Sequence, residues 1–131
     1  MSTRVKVLMI EDSVSLSAIY KAYLDDTDYS LVTAETLGAA HAALGAFKPD
    51  IVLLDVELPD GNGMDFLADA ATLENPPKIV VMTAHGTSDM AVKAMQNGAF
   101  DFLTKPFDST RLKVTLDNAA AQLYLGKQAQ T

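Results

Sequence analysis

The stretch IVLLDVELPDGNGMD, Ile51 to Asp65, decides the fold. Ile51 to Leu54 are aliphatic at every position, the pattern of a central parallel strand covered by helices on both faces. Asp55 ends the run, and Pro59, Gly61 and Gly63 turn the chain. Met64, Phe66, Leu67 and Leu73 then predict a helix that stops before the Pro76-Pro77 break. A buried strand, a turn and a helix make half of a βαβ unit, and the same alternation continues in both directions.

Upstream, Val5 to Ile10 and Ser30 to Thr33 predict two strands; downstream, Lys78 to Met82 and Phe100 to Leu103 predict two more. IVVM, Ile79 to Met82, is again wholly apolar, whereas the mixed YSLVTA around Ser30 suits an edge. Leu16, Ile19, Tyr20, Tyr23 and Leu24 share one face of a helix that Asp12 or Ser13 can cap. Thr36 can start an alanine-rich second helix. Thr87 or Ser88 can cap a fourth, carrying Met90, Ala91, Ala94 and Met95 and ending at Gly98, and Asp108 can cap a fifth. In that last helix Leu112, Leu116, Ala119 and Leu123 form a heptad-like stripe, which either packs on the sheet or continues toward a dimeric coiled coil. The Met and Phe positions, among them Met9, Met82, Met95 and Phe66, read as core filler, and His41 as a surface histidine. Strands alternating with helices imply right-handed crossovers, a doubly wound α/β fold with a parallel five-stranded sheet, and ligand chemistry outside the carboxyl ends of the strands.

The chain of 131 residues is the size of one domain, read as 1–125 with 126–131 as a tail or the start of a linker. With 49% hydrophobic and 21% charged residues it has the composition of a folded domain. A net charge of −7 repels phosphate backbones and anionic lipid, so neither direct nucleic-acid binding nor membrane binding is expected. Without cysteine there is no disulfide, thiolate metal site or thiol nucleophile. The apolar run at Val5 to Ile10 is broken by Lys6 and followed by Glu11 and Asp12, so it is no signal-peptide core, and a cytoplasmic location is expected.

The strand ends carry the chemistry. The first predicted strand ends in Glu11-Asp12, the third in Asp55 and the fourth in Thr83, and the fifth is followed by Lys105-Pro106. Three carboxylates brought together repel unless a proton or a hard cation intervenes, and Mg²⁺, which takes oxygen ligands and often phosphate oxygens, is the natural cation. With its charge compensated, Asp55 can act as a nucleophile toward an activated phosphoryl group. Lys105 supplies a positive charge for the phosphoryl oxygens, and the Thr83 hydroxyl a hydrogen bond.

IEDS at Ile10 to Ser13, LLDVELPDGNGMD at Leu53 to Asp65, MTAHG at Met82 to Gly86 and DFLTKPF at Asp101 to Phe107 together resemble the receiver domains of two-component response regulators, across essentially the whole chain. The resemblance implies a CheY-like, flavodoxin-like (βα)5 three-layer sandwich with strand order 2-1-3-4-5. It implies that Asp55 is the phosphoacceptor, that Glu11, Asp12, Asp55 and the Glu57 backbone carbonyl hold Mg²⁺ (Mn²⁺ serving in its place), and that Lys105 and Thr83 sense the phosphoryl group. The Lys105-Pro106 bond is expected to be cis. Ala84 belongs to the loop that moves, and Phe102 occupies the aromatic switch position, where the missing hydroxyl leaves only ring packing. Glu57 and His85, each two residues beyond a site residue, are modulators of phosphoryl lifetime.

The stretch from Met82 to Phe107 looks like receivers of the nitrogen-regulation and quorum-sensing type that precede sigma-54 activator ATPases. The implied partners are a histidine kinase or histidine phosphotransfer protein, AAA+ activator and DNA-binding domains if the chain is part of a longer protein, and a second copy through the α4-β5-α5 face. A haloacid-dehalogenase-type phosphohydrolase fits less well: it needs Asp then Thr at the second and third positions after its nucleophile, where this chain has Glu57 and Leu58. A nucleotide carrier would put a phosphate-binding loop where Glu11 and Asp12 stand. The remaining alternative is a degenerate receiver that only binds proteins.

Overall fold

A computed structural model describes residues 4–84, 86 and 88–129, and for 88 and 124–129 the backbone alone. The strands β1 (Val5–Ile10), β2 (Tyr29–Ala34), β3 (Ile51–Asp55), β4 (Lys78–Thr83) and β5 (Asp101–Thr104) pair in parallel in the spatial order 2-1-3-4-5. The helices α1 (Val14–Tyr23), α2 (Leu37–Phe47), α3 (Gly63–Ala70) and α4 (Ser88–Gln96) make the crossovers, and α5 (Ser109–Ala129) follows the last strand. The fold is the flavodoxin-like three-layer sandwich expected from the motifs.

The layers follow from the two-residue period of a strand. Val7 and Met9, Ile51 and Leu53, and Val80 and Met82 face one core together with Tyr20 of α1, Leu24 at its C-cap, and Leu112, Leu116 and Ala119 of α5. Leu8 and Ile10, Val52 and Leu54, and Ile79 and Val81 face the other, with Ala40 of α2, Phe66, Leu67 and Ala70 of α3 and Ala94 of α4. Each buried aliphatic side chain contributes roughly 1.5–3 kcal/mol, which is why the central strands are apolar at every position. Among the described residues β2 has β1 as its only sheet neighbour, and Val32 and Thr33 are exposed there, as suits an edge.

Helix starts follow local chemistry. Ser13, Thr36, Asn62 and Asp108 accept hydrogen bonds from the first-turn amides of Leu16, Ala39, Met64 and Arg111. Gly98 takes a left-handed φ of 98° just past α4. The cap expected at Thr87 or Ser88 lies outside the described residues and side chains.

Two expectations are corrected. Leu73 is not on α3, which ends at Ala70; Thr72 turns back to donate to the Asp69 carbonyl, and the chain leaves toward Pro76, so Leu73 is left exposed. Met95 is no core filler: it is 49% exposed on the outer side of α4, one residue beyond buried Ala94. The stripe on α5 is spent inside the domain, since Leu112, Leu116 and Ala119 are fully buried and Leu123 packs against the same cluster. The α5 backbone is helical through Ala129, past Gly126. Among the described residues no helix is long and apolar enough to cross a membrane.

Candidate functional site

The strand order reverses between β1 and β3: the chain goes outward from β1 to β2, then returns to β3 and continues the other way. Helices therefore leave to opposite faces and open a crevice at the carboxyl ends of these two strands. Glu11 and Asp12 follow β1, and Asp55 ends β3. One carboxylate oxygen from each lies within 4.8 Å of the other two. Glu11 and Asp55 are buried, and Asp12 faces solvent.

Lys105 completes the cluster. Its Nζ donates to Asp55 Oδ2 at 2.8 Å and to Glu11 Oε1 at 2.8 Å. Backbone geometry aims it there: the Lys105 amide donates to the Thr83 carbonyl at 2.7 Å, carrying the β4–β5 ladder one residue past Thr104, and the Lys105-Pro106 bond is cis. The second oxygens are also tied, since the Glu57 amide donates to Asp55 Oδ1 at 2.9 Å and the Ser13 amide to Glu11 Oε2 at 3.1 Å. Each buried carboxylate is thus fixed at both oxygens.

The charges explain the titration behaviour. Burial raises the Glu11 pKa, the nearby Asp55 charge adds to this, and the hydrogen bonds from Lys105 and the Ser13 amide oppose it. For Lys105, burial acts to lower the pKa, but the hydrogen bonds to Asp55 and Glu11 outweigh it and the net shift is upward. Three clustered carboxylates against one ammonium leave negative charge uncompensated. An all-oxygen donor set of this kind fits a hard divalent cation.

The other expected residues lie around this pocket. Thr83 is fully buried at the end of β4, Ala84 is exposed beside it, and Phe102 is half-buried against the core that α4 helps to close. Glu57 is exposed at the start of a two-residue antiparallel ladder, in which Glu57 and Leu58 pair with Asn62 and Gly61. His85 lies outside the described residues. His41 is half-exposed on α2, 3.9 Å from Asp69 and with its ring 5.0 Å from that of Phe66, away from the pocket.

Three contacts around the site were not legible in the residue pattern. Asp60, at the tip of the ladder, accepts hydrogen bonds from the Leu37 and Gly38 amides at 2.8 and 3.1 Å and so ties the segment after Asp55 to the first turn of α2. Gly63 packs so tightly on the backbone after β3 that a Cβ there would lie 2.9 Å from Val56 Cα and closer still to the Asp55 carbonyl oxygen. Tyr20 of α1 stacks on Phe107, two residues past Lys105.

A doubly wound sheet with an acidic cluster, a lysine and a threonine at its strand ends defines a class of signalling domain, and comparison with known proteins gives the family. Residues 7–117 match the response regulator receiver domain, and the chain belongs to that family. It is 44% identical over 111 residues to the regulatory protein LuxO of Vibrio cholerae, covering 85% of this chain and 24% of that protein. The chain therefore spans about a quarter of the length of that curated relative. The crystal structure of a signal receiver domain assigned to LuxO of Vibrio parahaemolyticus superposes with a TM-score of 0.93 at 36% identity, covering 98% of both chains. The solution structure of the beryllofluoride-activated NtrC4 receiver domain dimer gives 0.82 at 34% identity, over 87% of this chain and 94% of that one. The chain is a receiver domain of the two-component response regulator type, a signalling module.

Proposed function

We propose that the domain accepts a phosphoryl group on Asp55 in a Mg²⁺-dependent reaction and uses it to switch its α4-β5-α5 face. The observation that carries this reading is the Lys105 ammonium bonded at 2.8 Å to both Asp55 and Glu11 inside a cluster of three carboxylates. Glu11, Asp12, Asp55 and the Glu57 carbonyl are the residues that would hold Mg²⁺, or Mn²⁺ in its place. The bound cation supplies charge neutralisation for the phosphoryl oxygens.

The protein's own groups do the rest. The Glu57 amide fixes Asp55 Oδ1 and leaves Oδ2, now paired with Lys105, to respond to an incoming phosphoryl group. With a phosphohistidine donor the P–N bond breaks as the Asp55 O–P bond forms, and the donor imidazole keeps the electron pair and takes a proton. Lys105 then transfers its contact to a phosphoryl oxygen and the Thr83 hydroxyl donates to another, drawing the loop around Ala84 inward. Phe102 repacks against the α4 side, and the phosphoryl group shifts the balance between two existing conformations through its different affinity for them. The domain thus catalyses its own phosphorylation and dephosphorylation without acting on a separate substrate, with Glu57 and His85 modulating the phosphoryl lifetime.

The donor is a histidine kinase or a histidine phosphotransfer protein in the cytoplasm. The receiver occupies 1–125, with 126–131 a tail or the start of a linker. The output is transcription regulation, through AAA+ sigma-54 activator and DNA-binding domains in a longer protein or through self-association, which the dimeric NtrC4 relative supports. Intact mass after incubation with acetyl phosphate tests the reading. A phosphoryl-sized gain is expected only with Mg²⁺ and only in wild type, not in Asp55→Asn. No gain under any condition points instead to a degenerate, protein-binding receiver, and identical self-association in both phosphorylation states removes dimerisation as the output.

A further inference from the structure

We propose that Tyr20 is a positioning residue for Lys105: its ring, stacked on Phe107, holds the segment from Lys105 to Phe107 so that the ammonium reaches Asp55 and Glu11 together. The consequence for phosphorylation rests on the phosphoacceptor reading above; the geometric claim does not.

Tyr20 is 1% exposed, on the face of α1 that meets α5 and the sheet. Its ring lies nearly parallel to that of Phe107, with centroids 4.2 Å apart and planes at 12°, and Tyr23 closes over it at 5.9 Å. A near-parallel aromatic pair of this kind adds to simple burial and fixes orientation as well as distance. The segment that carries Lys105 is otherwise held at its two ends. The Lys105 amide is tied to the Thr83 carbonyl, and Asp108 caps α5 through the Arg111 amide. Phe107 is the anchor between them, and Tyr20 is its stacked aromatic partner.

The same helix touches the other end of the ion pair. α1 is capped by Ser13, whose amide donates to Glu11 Oε2, while Lys105 donates to Glu11 Oε1. One rigid element thus positions Glu11 through its cap and Lys105 through Phe107. The Tyr20 hydroxyl has no hydrogen-bond partner among the described residues. What Tyr20 gives the segment is therefore its ring, so phenylalanine should serve and an aliphatic side chain should not.

The test compares Tyr20→Phe, Tyr20→Leu and Phe107→Leu in two readouts. In the metal-free protein the ¹⁵N NMR signal of the Lys105 ammonium, identified by its loss in Lys105→Arg, reports the buried ion pair. With saturating Mg²⁺, the phosphorylation rate from acetyl phosphate reports the working geometry. Tyr20→Phe should keep both. Tyr20→Leu and Phe107→Leu should lose the ammonium signal and phosphorylate about tenfold more slowly, as a small misplacement of a catalytic group does, while Mg²⁺ affinity stays at the wild-type value because its carboxylates are untouched. A folded Tyr20→Leu that keeps the signal and the rate overturns the proposal, as does a Tyr20→Phe that loses them. If Tyr20→Leu does not fold, Phe107→Leu decides by the same criteria. If wild type takes no phosphoryl group, the phosphoacceptor reading fails, and the ammonium signal alone still decides whether Tyr20 positions Lys105.

Discussion

Lys105→Met in the metal-free protein should cost about 3 kcal/mol of stability at pH 7, a figure set by Glu11 being forced to take up a proton. The substitution keeps a side chain of similar bulk and removes the ammonium bonded to two buried carboxylates. At 2.8 Å each attraction is about 6 kcal/mol at an effective dielectric near 20, far more than an unpaired pair of carboxylates can forfeit while both stay charged. Protonation is the cheaper escape. Glu11, whose pKa burial already raises from the ordinary 4.5, is the group that yields. Keeping it neutral at pH 7 costs about 1.36 kcal/mol for each pH unit above 4.5, or about 3.4 kcal/mol in all. The sign follows from the direction of the shift: in the variant Glu11 is raised above its unfolded value, so stability is retained below pH 4.5 and lost as pH rises toward the folded pKa. Urea unfolding followed by far-ultraviolet circular dichroism in EDTA should show the midpoint lowered by about 1.5 M at pH 7, for a slope of about 2 kcal/mol/M, and by much less at pH 5. A deficit below about 1 kcal/mol at pH 7, or one of the same size at both pH values, would refute the reasoning, since a buried charge left without its partner must cost more than that.

Gly63→Ala should destabilise by about 1–3 kcal/mol, because the added Cβ meets backbone at Val56 and Asp55 that cannot give way; differential scanning calorimetry measures it. Leu116→Ala should cost about 2–5 kcal/mol of unfolding free energy in urea without changing the sedimentation behaviour of the folded protein. Loss of a dimer with monomer stability intact would reassign the stripe to an intermolecular seam. Asp60→Ala should lower the melting temperature at pH 7. The Leu37 and Gly38 amides hold the Asp60 carboxyl below its ordinary 3.8, so its contribution is present above that value and disappears as pH falls through the folded pKa; melts at pH 7 and pH 3 check the convergence.

Burial on both faces is written directly into residue type, and this made the central strands readable. Val5–Ile10 was predicted to the residue and Ile51–Asp55 to within one. The acidic cluster was readable because a doubly wound fold needs only chain order to bring strand ends together: once Glu11, Asp12, Asp55 and Lys105 stood at those ends, their meeting followed. The end of α3 was not readable, because Leu73 sits at an acceptable helical spacing and only the return of Thr72 to Asp69 ends the helix before it. The Glu57–Leu58 ladder is too short to leave any periodicity. The exposure of Met95 depends on how far α4 rolls on the sheet, which a nine-residue helix does not encode strongly. Tyr20 was legible as a core residue, but its choice of Phe107 joins two loops' worth of tertiary geometry that no local pattern carries.

The bond from Asp60 to the first turn of α2 gives the domain a label-free reporter. The Leu37 and Gly38 amides lie at a helix start, where the first donors have no partner within the helix. Their protection from hydrogen–deuterium exchange therefore depends on a carboxylate that belongs to the segment leaving Asp55. Any rearrangement of that segment frees both amides together, so chemistry at the end of β3 becomes readable as deuterium uptake at the start of α2, far earlier in the chain.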